Sequence, residues 1–143
     1  MKFSTKTRYG VRAMIELALN FNGTPISLKD IAEKQDISEK YLEQIMLILK
    51  KAGFVESIQG TNGGFILVNK PSEIKLSEIV EVLEGGFSPV ACVDKEILCK
   101  KSKVCSARNV WIKVKNAIKD ILDSITLEQL VEEEKKKQSI YYI

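Results

Sequence analysis

The chain has 143 residues, 45% of them hydrophobic and 29% charged, which suits one compact soluble domain with an added element. Its 22 basic and 19 acidic side chains leave a net charge of +3, too mild by itself to argue for a nucleic-acid partner. Histidine is absent, which excludes imidazole acid–base catalysis, Ser–His and Cys–His nucleophile pairs, and zinc sites that need imidazole.

The charge surplus is placed unevenly: residues 1–75 carry 11 basic and 8 acidic side chains, and residues 76–143 carry 11 of each. Its apolar runs are short and broken by charge, so no membrane span is expected. The N-terminal residues lack the apolar core of a signal peptide, so a cytoplasmic location is expected. No arrangement of carboxylates, lysines or thiols suggests an enzyme.

In chain order, residues 4–21 carry Val11, Met14, Ile15, Ala18 and Leu19 at the spacing of one buried helix face. Asn22-Gly23-Thr24-Pro25 stops that helix. Ser27-Leu28-Lys29-Asp30 resembles a capping box and opens a short second helix with Leu28, Ile31 and Ala32 inward. After a break at Gln35-Asp36-Ile37, Ser38 caps a third helix carrying Leu42, Ile45, Met46 and Leu49, which ends near Ala52-Gly53.

Phe54–Ile58 alternates as a strand, Gly60-Thr61-Asn62-Gly63-Gly64 turns the chain, and Phe65–Val68 returns. A helix pair followed directly by a hairpin is the order of a winged helix-turn-helix; a small α+β domain with a surface hairpin is the plainer alternative. The fold class predicted is therefore mainly α with a small β-hairpin wing, plus a long dimerisation helix. Residues 1–75 are assigned to the winged helix-turn-helix, and 76–143 to a cysteine loop, the dimerisation helix and a tail.

Beyond Pro71-Ser72 a short helix is predicted at Leu76–Leu83. Gly85-Gly86 and Pro89 then open a loop that reaches Cys105. From Ser106 a long helix places Trp111, Val114, Ile118, Ile121 and Ile125 at steps of 3, 4, 3 and 4 residues, a seam suited to a partner helix. Pairing with a twin helix and packing on the first helix of the same chain both satisfy this pattern. Leu127, Leu130 and Val131 predict one more short helix, and the run Glu132–Lys137 is expected to fray into solvent.

Cys92, Cys99 and Cys105 fall within 14 residues, spaced C-x6-C-x5-C. An odd count in a chain expected in the cytoplasm argues against a disulfide scaffold. Convergent thiolates are soft ligands for iron–sulfur clusters or zinc, and Lys100, Lys101 and Lys103 would favour the thiolate form. Zinc is the weaker match, because no C-x2-C knuckle and no nearby fourth cysteine or histidine is present. A metal-free thiol switch remains an alternative.

Four motifs together resemble the IscR-type family of winged-helix iron–sulfur regulators. They are Arg8-Tyr9-Gly10-Val11-Arg12-Ala13-Met14, the segment Ile37–Ile45 (Ile37-Ser38-Glu39-Lys40-Tyr41-Leu42-Glu43-Gln44-Ile45), Gln59-Gly60-Thr61-Asn62-Gly63-Gly64-Phe65, and the cysteine triplet. The resemblance implies a homodimer on a palindromic double-stranded operator, with recognition helices in successive major grooves about 34 Å apart. On matching positions, Ser38, Lys40, Tyr41 and Gln44 would face the major groove, and Gln59 and Gly60 would approach the minor groove. Lys40 on a phosphate and Tyr41 partly in the core are the plainer readings of those two residues.

The resemblance also implies an iron–sulfur cluster, [4Fe–4S] or [2Fe–2S], on Cys92, Cys99 and Cys105. The family's histidine ligand has no counterpart, since the segment after the third cysteine reads Ala107-Arg108-Asn109. Nitric-oxide-sensing relatives use an acidic residue in the first helix, and Arg8 stands at that place. Asp94, Glu96 or an external ligand would have to complete the set. The function implied is a transcription regulator sensing iron–sulfur status or redox and nitrosative stress. The alternative is an apo-type regulator of cysteine or sulfur metabolism in the same fold.

Overall fold

The computed structural model describes residues 2–86 and 106–141. Six α-helices and one two-stranded hairpin are found among them. In chain order these are α1 (Thr5–Leu19), α2 (Leu28–Gln35), α3 (Glu39–Lys51), β1 (Val55–Ile58), β2 (Gly64–Leu67), α4 (Leu76–Glu84), α5 (Ser106–Asp123) and α6 (Leu127–Tyr141). This is the mainly α architecture with a hairpin wing expected from the sequence.

Serines start the first three helices. Ser4, Ser27 and Ser38 are each extended, and each side-chain oxygen accepts the backbone N–H three residues on, from Thr7, Asp30 and Tyr41 respectively. Such a cap contributes about 1 kcal/mol by satisfying one of the donors that a helix start leaves open. Asp36 ends α2 in a left-handed conformation at φ 53°, one of the few non-glycine types that tolerates it. That single residue turns α2 into α3.

Helix α1 is the hub of the core, touching α2, α3, α4, α6 and β2. Its buried residues are Thr7, Gly10, Ala13, Met14, Leu17 and Ala18, while Val11, Ile15 and Leu19 are only half-buried. The face expected from the sequence is therefore rotated, because a helix enclosed on several sides has no single apolar stripe. Gly10 lets α4 approach: a Cβ there would collide with Leu83 Cδ1 and stand 3.3 Å from Ile45 Cγ2. On α3 the expected residues Leu42, Ile45, Met46 and Leu49 are all buried.

The hairpin is antiparallel, pairing Val55 with Leu67 and Ile58 with Gly64. Buried Val55 and Leu67 fix its base to the core. Ile26, just before α2, adds a bridge to Phe65, with hydrogen bonds of 2.8 and 3.1 Å exchanged between the two backbones. The loop ahead of the helix-turn-helix is thereby tied to the wing.

A second bridge joins Lys75 to Thr126. The Leu76 N–H donates to the Ile125 carbonyl and the Leu127 N–H to the Ile74 carbonyl, both at 2.8 Å. This clasp lays α6 along α1, burying Leu127 and Val131 in the same core as Ile74, Ile79 and Leu83.

One expectation is corrected here, and one of two open alternatives falls away. The run Glu132–Lys137 does not fray but continues α6 to Tyr141. Glutamate and lysine are good helix formers, and Glu133 precedes Lys137 by four residues with their charged ends 3.5 Å apart. It is also α6, not α5, that packs on the first helix of the same chain; α5 lies against α4. Much of the α5 seam is consequently open. Ile121 is 61% exposed and Trp111 39%, with Val110 beside them at 51%, while Val114, Ile118 and Ile125 are half-buried.

Candidate nucleic-acid interface

Helix α3 divides into two faces. The buried face holds the helix to the core, and the opposite one presents Ser38, Glu39, Lys40, Glu43, Gln44 and Leu47 to solvent. Ser38 is exposed at this surface and also caps the helix, its Oγ accepting the Tyr41 N–H at 3.2 Å. Tyr41 is half-buried and packs edge-on against Tyr9 of α1, ring centroids 6.0 Å apart and planes at 81°. The partly core reading of Tyr41 is thus the one its surroundings match.

A polar brace that sequence reasoning missed fixes the turn between α2 and α3. Arg12 of α1 donates through its Nε to the Gln35 side chain at 2.7 Å and through a terminal nitrogen to the Gln35 carbonyl at 2.6 Å. Its guanidinium also lies 5.3 Å from the centre of the Tyr9 ring, a cation–π distance. Gln35 donates in turn to Glu16 at 2.6 Å. An arginine bonded to a helix's last carbonyl satisfies an acceptor the helix end leaves open. The only signal was Arg12 within the first-helix motif; its partner 23 residues away has no local signature.

The wing leaves from the end of α3. Lys50 donates to Ser57 Oγ of β1 at 2.8 Å, linking the last turn of the recognition helix to the hairpin. Gln59 and Gly60 are exposed at the hairpin tip. Gly60 has φ +111°, which a residue with a Cβ rarely adopts, so glycine at this position is a requirement of the turn. Ser38, Lys40, Gln44, Gln59 and Gly60 therefore all lie on the exposed surface, with Tyr41 at its edge.

Glu84, the last residue of α4, reaches the start of α1. Its carboxylate accepts from the Ser4 N–H and Ser4 Oγ, both at 3.1 Å, and from Thr7 Oγ1. Burial pulls this carboxyl's pKa up, but the hydrogen bonds from Thr7 and Ser4 and the charge of Lys6 outweigh it, and the net shift is downward. A carboxylate at a helix N-terminus is further favoured by the helix dipole. On α5, Lys119 donates to Asp123 at 2.8 Å, and Asp123 also meets Ser77 of α4; both bonds hold its carboxyl below the usual range.

Cys92, Cys99 and Cys105 lie outside the described residues, in the segment between α4 and α5. Among the described residues no group of three or more cysteines, aspartates or glutamates is placed to hold a metal ion. No helix among them is long and apolar enough to cross a membrane.

A capped recognition helix, a braced turn and a hairpin wing directly after that helix define a winged helix-turn-helix DNA-binding transcription regulator. The chain belongs to the Rrf2 family, whose model, described as an iron-dependent transcriptional regulator, matches residues 3–133. It is 43% identical over 141 residues to the HTH-type transcriptional regulator CymR of Bacillus subtilis strain 168, covering 99% of this chain and 97% of that protein. It is 36% identical over 138 residues to the regulator IscR of Aliivibrio salmonicida, covering 96% and 82%.

Among solved structures, T. potens IscR matches with a TM-score of 0.80 at 42% identity, covering 96% of this chain and 91% of that one. These relatives are transcription regulators and not enzymes, in agreement with the reading of the sequence. CymR of B. subtilis is described as a global cysteine regulator. The IscR resemblance is matched, and CymR stands beside it.

Proposed function

We propose that this chain is a homodimeric, cytoplasmic regulator that reads a palindromic operator and senses iron–sulfur, redox or nitrosative status through Cys92, Cys99 and Cys105. The observation that carries the DNA-reading half is the exposed face of α3 beside the wing. In this reading Ser38 and Gln44 face the major groove, Gln44 pairing with an adenine edge, while Lys40 meets phosphate and Tyr41 stands at the groove's edge, partly in the core. Gln59 and Gly60 bring the wing to the minor groove. The division at residues 75 and 76 is one of task, DNA reading before it and cysteine sensing and dimerisation after it, since α4 and α6 share the core of α1.

The open seam on α5 supports the homodimer. Val110, Trp111 and Ile121 expose apolar surface along one helix, and a second copy of the same helix buries such a stripe most simply. The three cysteines supply a thiolate set suited to a cluster, and with no histidine in the chain a fourth ligand falls to Asp94, Glu96 or an external group. A bound cluster supplies iron chemistry that responds to oxidants and nitric oxide.

The test is anaerobic reconstitution with iron and sulfide. A brown product absorbing near 400 nm, with iron and sulfide bound and lost in Cys92→Ala, Cys99→Ala and Cys105→Ala, is the expected result. A colourless, iron-free product overturns cluster sensing. It would leave the second reading, an apo-type regulator of cysteine or sulfur metabolism, which the 43% identity to CymR favours.

A further inference from the structure

Leu47 is the one exposed residue of α3 that is not polar or charged. Its neighbours on the solvent side are Glu39, Lys40, Glu43, Gln44, Lys50 and Lys51, while Leu47 itself is 52% exposed. It has no part in the buried cluster formed by Leu42, Ile45, Met46 and Leu49. A single exposed leucine is ordinary on a protein surface. This one stands three residues after Gln44 and seven after Lys40, hence on the same helical stripe as the side chain proposed to read a base and the one proposed to meet phosphate.

We propose that Leu47 is a specificity-determining residue that packs against the 5-methyl group of a thymine in the major groove. The proposal rests on the DNA-reading half of the function above and names a base that reading leaves open. The methyl is the one apolar group that a base pair projects into that groove, cytosine offering only a bare C5–H at the same place, so it is the best complement for an apolar side chain on this face. Three residues of helix rise about 4.5 Å, against about 3.4 Å per base pair. Leu47 therefore reaches one or two base pairs beyond the one that Gln44 contacts. An adenine for Gln44 and a thymine for Leu47 then lie in adjacent or near-adjacent pairs of each half-site.

The experiment first selects an operator from a random duplex pool with the wild-type protein. Each thymine of the half-site is then replaced, symmetrically in both half-sites, by deoxyuridine, which removes the 5-methyl and nothing else. Binding of wild type and Leu47→Ala is titrated by fluorescence anisotropy on each duplex. Alanine keeps the helix propensity, and Leu47 lies outside the buried cluster, so the unfolding temperature should change little and serves as the folding control.

At one thymine position the wild type should lose about fourfold per half-site, the loss expected when one buried methyl (~0.8 kcal/mol) is removed. Leu47→Ala should bind the thymine and deoxyuridine duplexes equally at that position. Equal responses of wild type and variant at every position overturn the assignment while leaving DNA reading intact. Failure of the selection to yield any consensus overturns the DNA reading itself, and this assignment with it.

Discussion

Ser38 is expected both to cap α3 and to sit on the DNA-facing surface, and a pair of substitutions separates the two duties. Ser38→Ala removes the oxygen that accepts the Tyr41 N–H, leaving a donor of the first turn to water alone. The expected cost is about 1 kcal/mol of folding stability, within a range of roughly 0.5–2. For a chain of 143 residues this lowers the unfolding temperature by about 3–5 °C. Ser38→Asp keeps an accepting oxygen and adds a negative charge at the helix N-terminus, which the helix dipole favours. Its stability should therefore equal or slightly exceed that of the wild type. The same charge faces phosphates, so operator affinity should fall by about tenfold or more at low salt, and by less as salt screens it. Urea titration reads the first effect and fluorescence anisotropy the second. If Ser38→Asp is destabilised as much as Ser38→Ala, the cap is not what Ser38 contributes. If it binds operator as the wild type does, Ser38 does not face DNA.

Three further outcomes follow from the packing and the charges. Gly10→Val should destabilise by about 1–3 kcal/mol in urea titration, because a side chain there meets Leu83 and Ile45 in a filled core. Glu84→Gln should lower stability near pH 7. Because the folded-state pKa of Glu84 is depressed, its contribution is present above the unfolded value of 4.5 and is lost as pH falls below that, so the gap between variant and wild type should close on acidification. Ile121→Glu, on a residue 61% exposed, should barely change the folding of one chain yet shift sedimentation from dimer to monomer.

What could be read from the sequence was whatever a local pattern encodes. The recognition helix showed itself in Ser38 followed by Leu42, Ile45, Met46 and Leu49, and every one of those residues has the predicted role in the fold. The wing was legible because a glycine-rich turn between two alternating segments has few other solutions. Contacts between distant parts of the chain left no such trace. In the Ile26–Phe65 and Lys75–Thr126 bridges, Ile26, Lys75 and Thr126 are single residues without strand patterning. Glu84 meets Ser4 and Thr7 across 80 and 77 positions, and nothing local marks either end.

Helix α1 misled for a different reason: with neighbours on several sides, its small residues Gly10 and Ala13 are as buried as Met14, and apolar size no longer marks the inner face. The charge run after Val131 was expected to fray since nothing apolar anchors it, whereas helix propensity and the Glu133–Lys137 pair carry α6 onward. The candidate DNA-contacting residues were found by resemblance, and their common exposure on α3 and the wing is what the fold adds. The brace from Arg12 through Gln35 to Glu16, which sets the angle of the turn behind them, needed coordinates.

In the proposed function two copies of this surface read one operator together. Hydroxyl-radical footprinting of the wild-type protein on the selected operator tests it most directly. Two protected patches related by a dyad, centred about 34 Å or one helical turn apart, are the predicted result. A single patch without symmetry, or protection that ignores the sequence of the duplex, would contradict it.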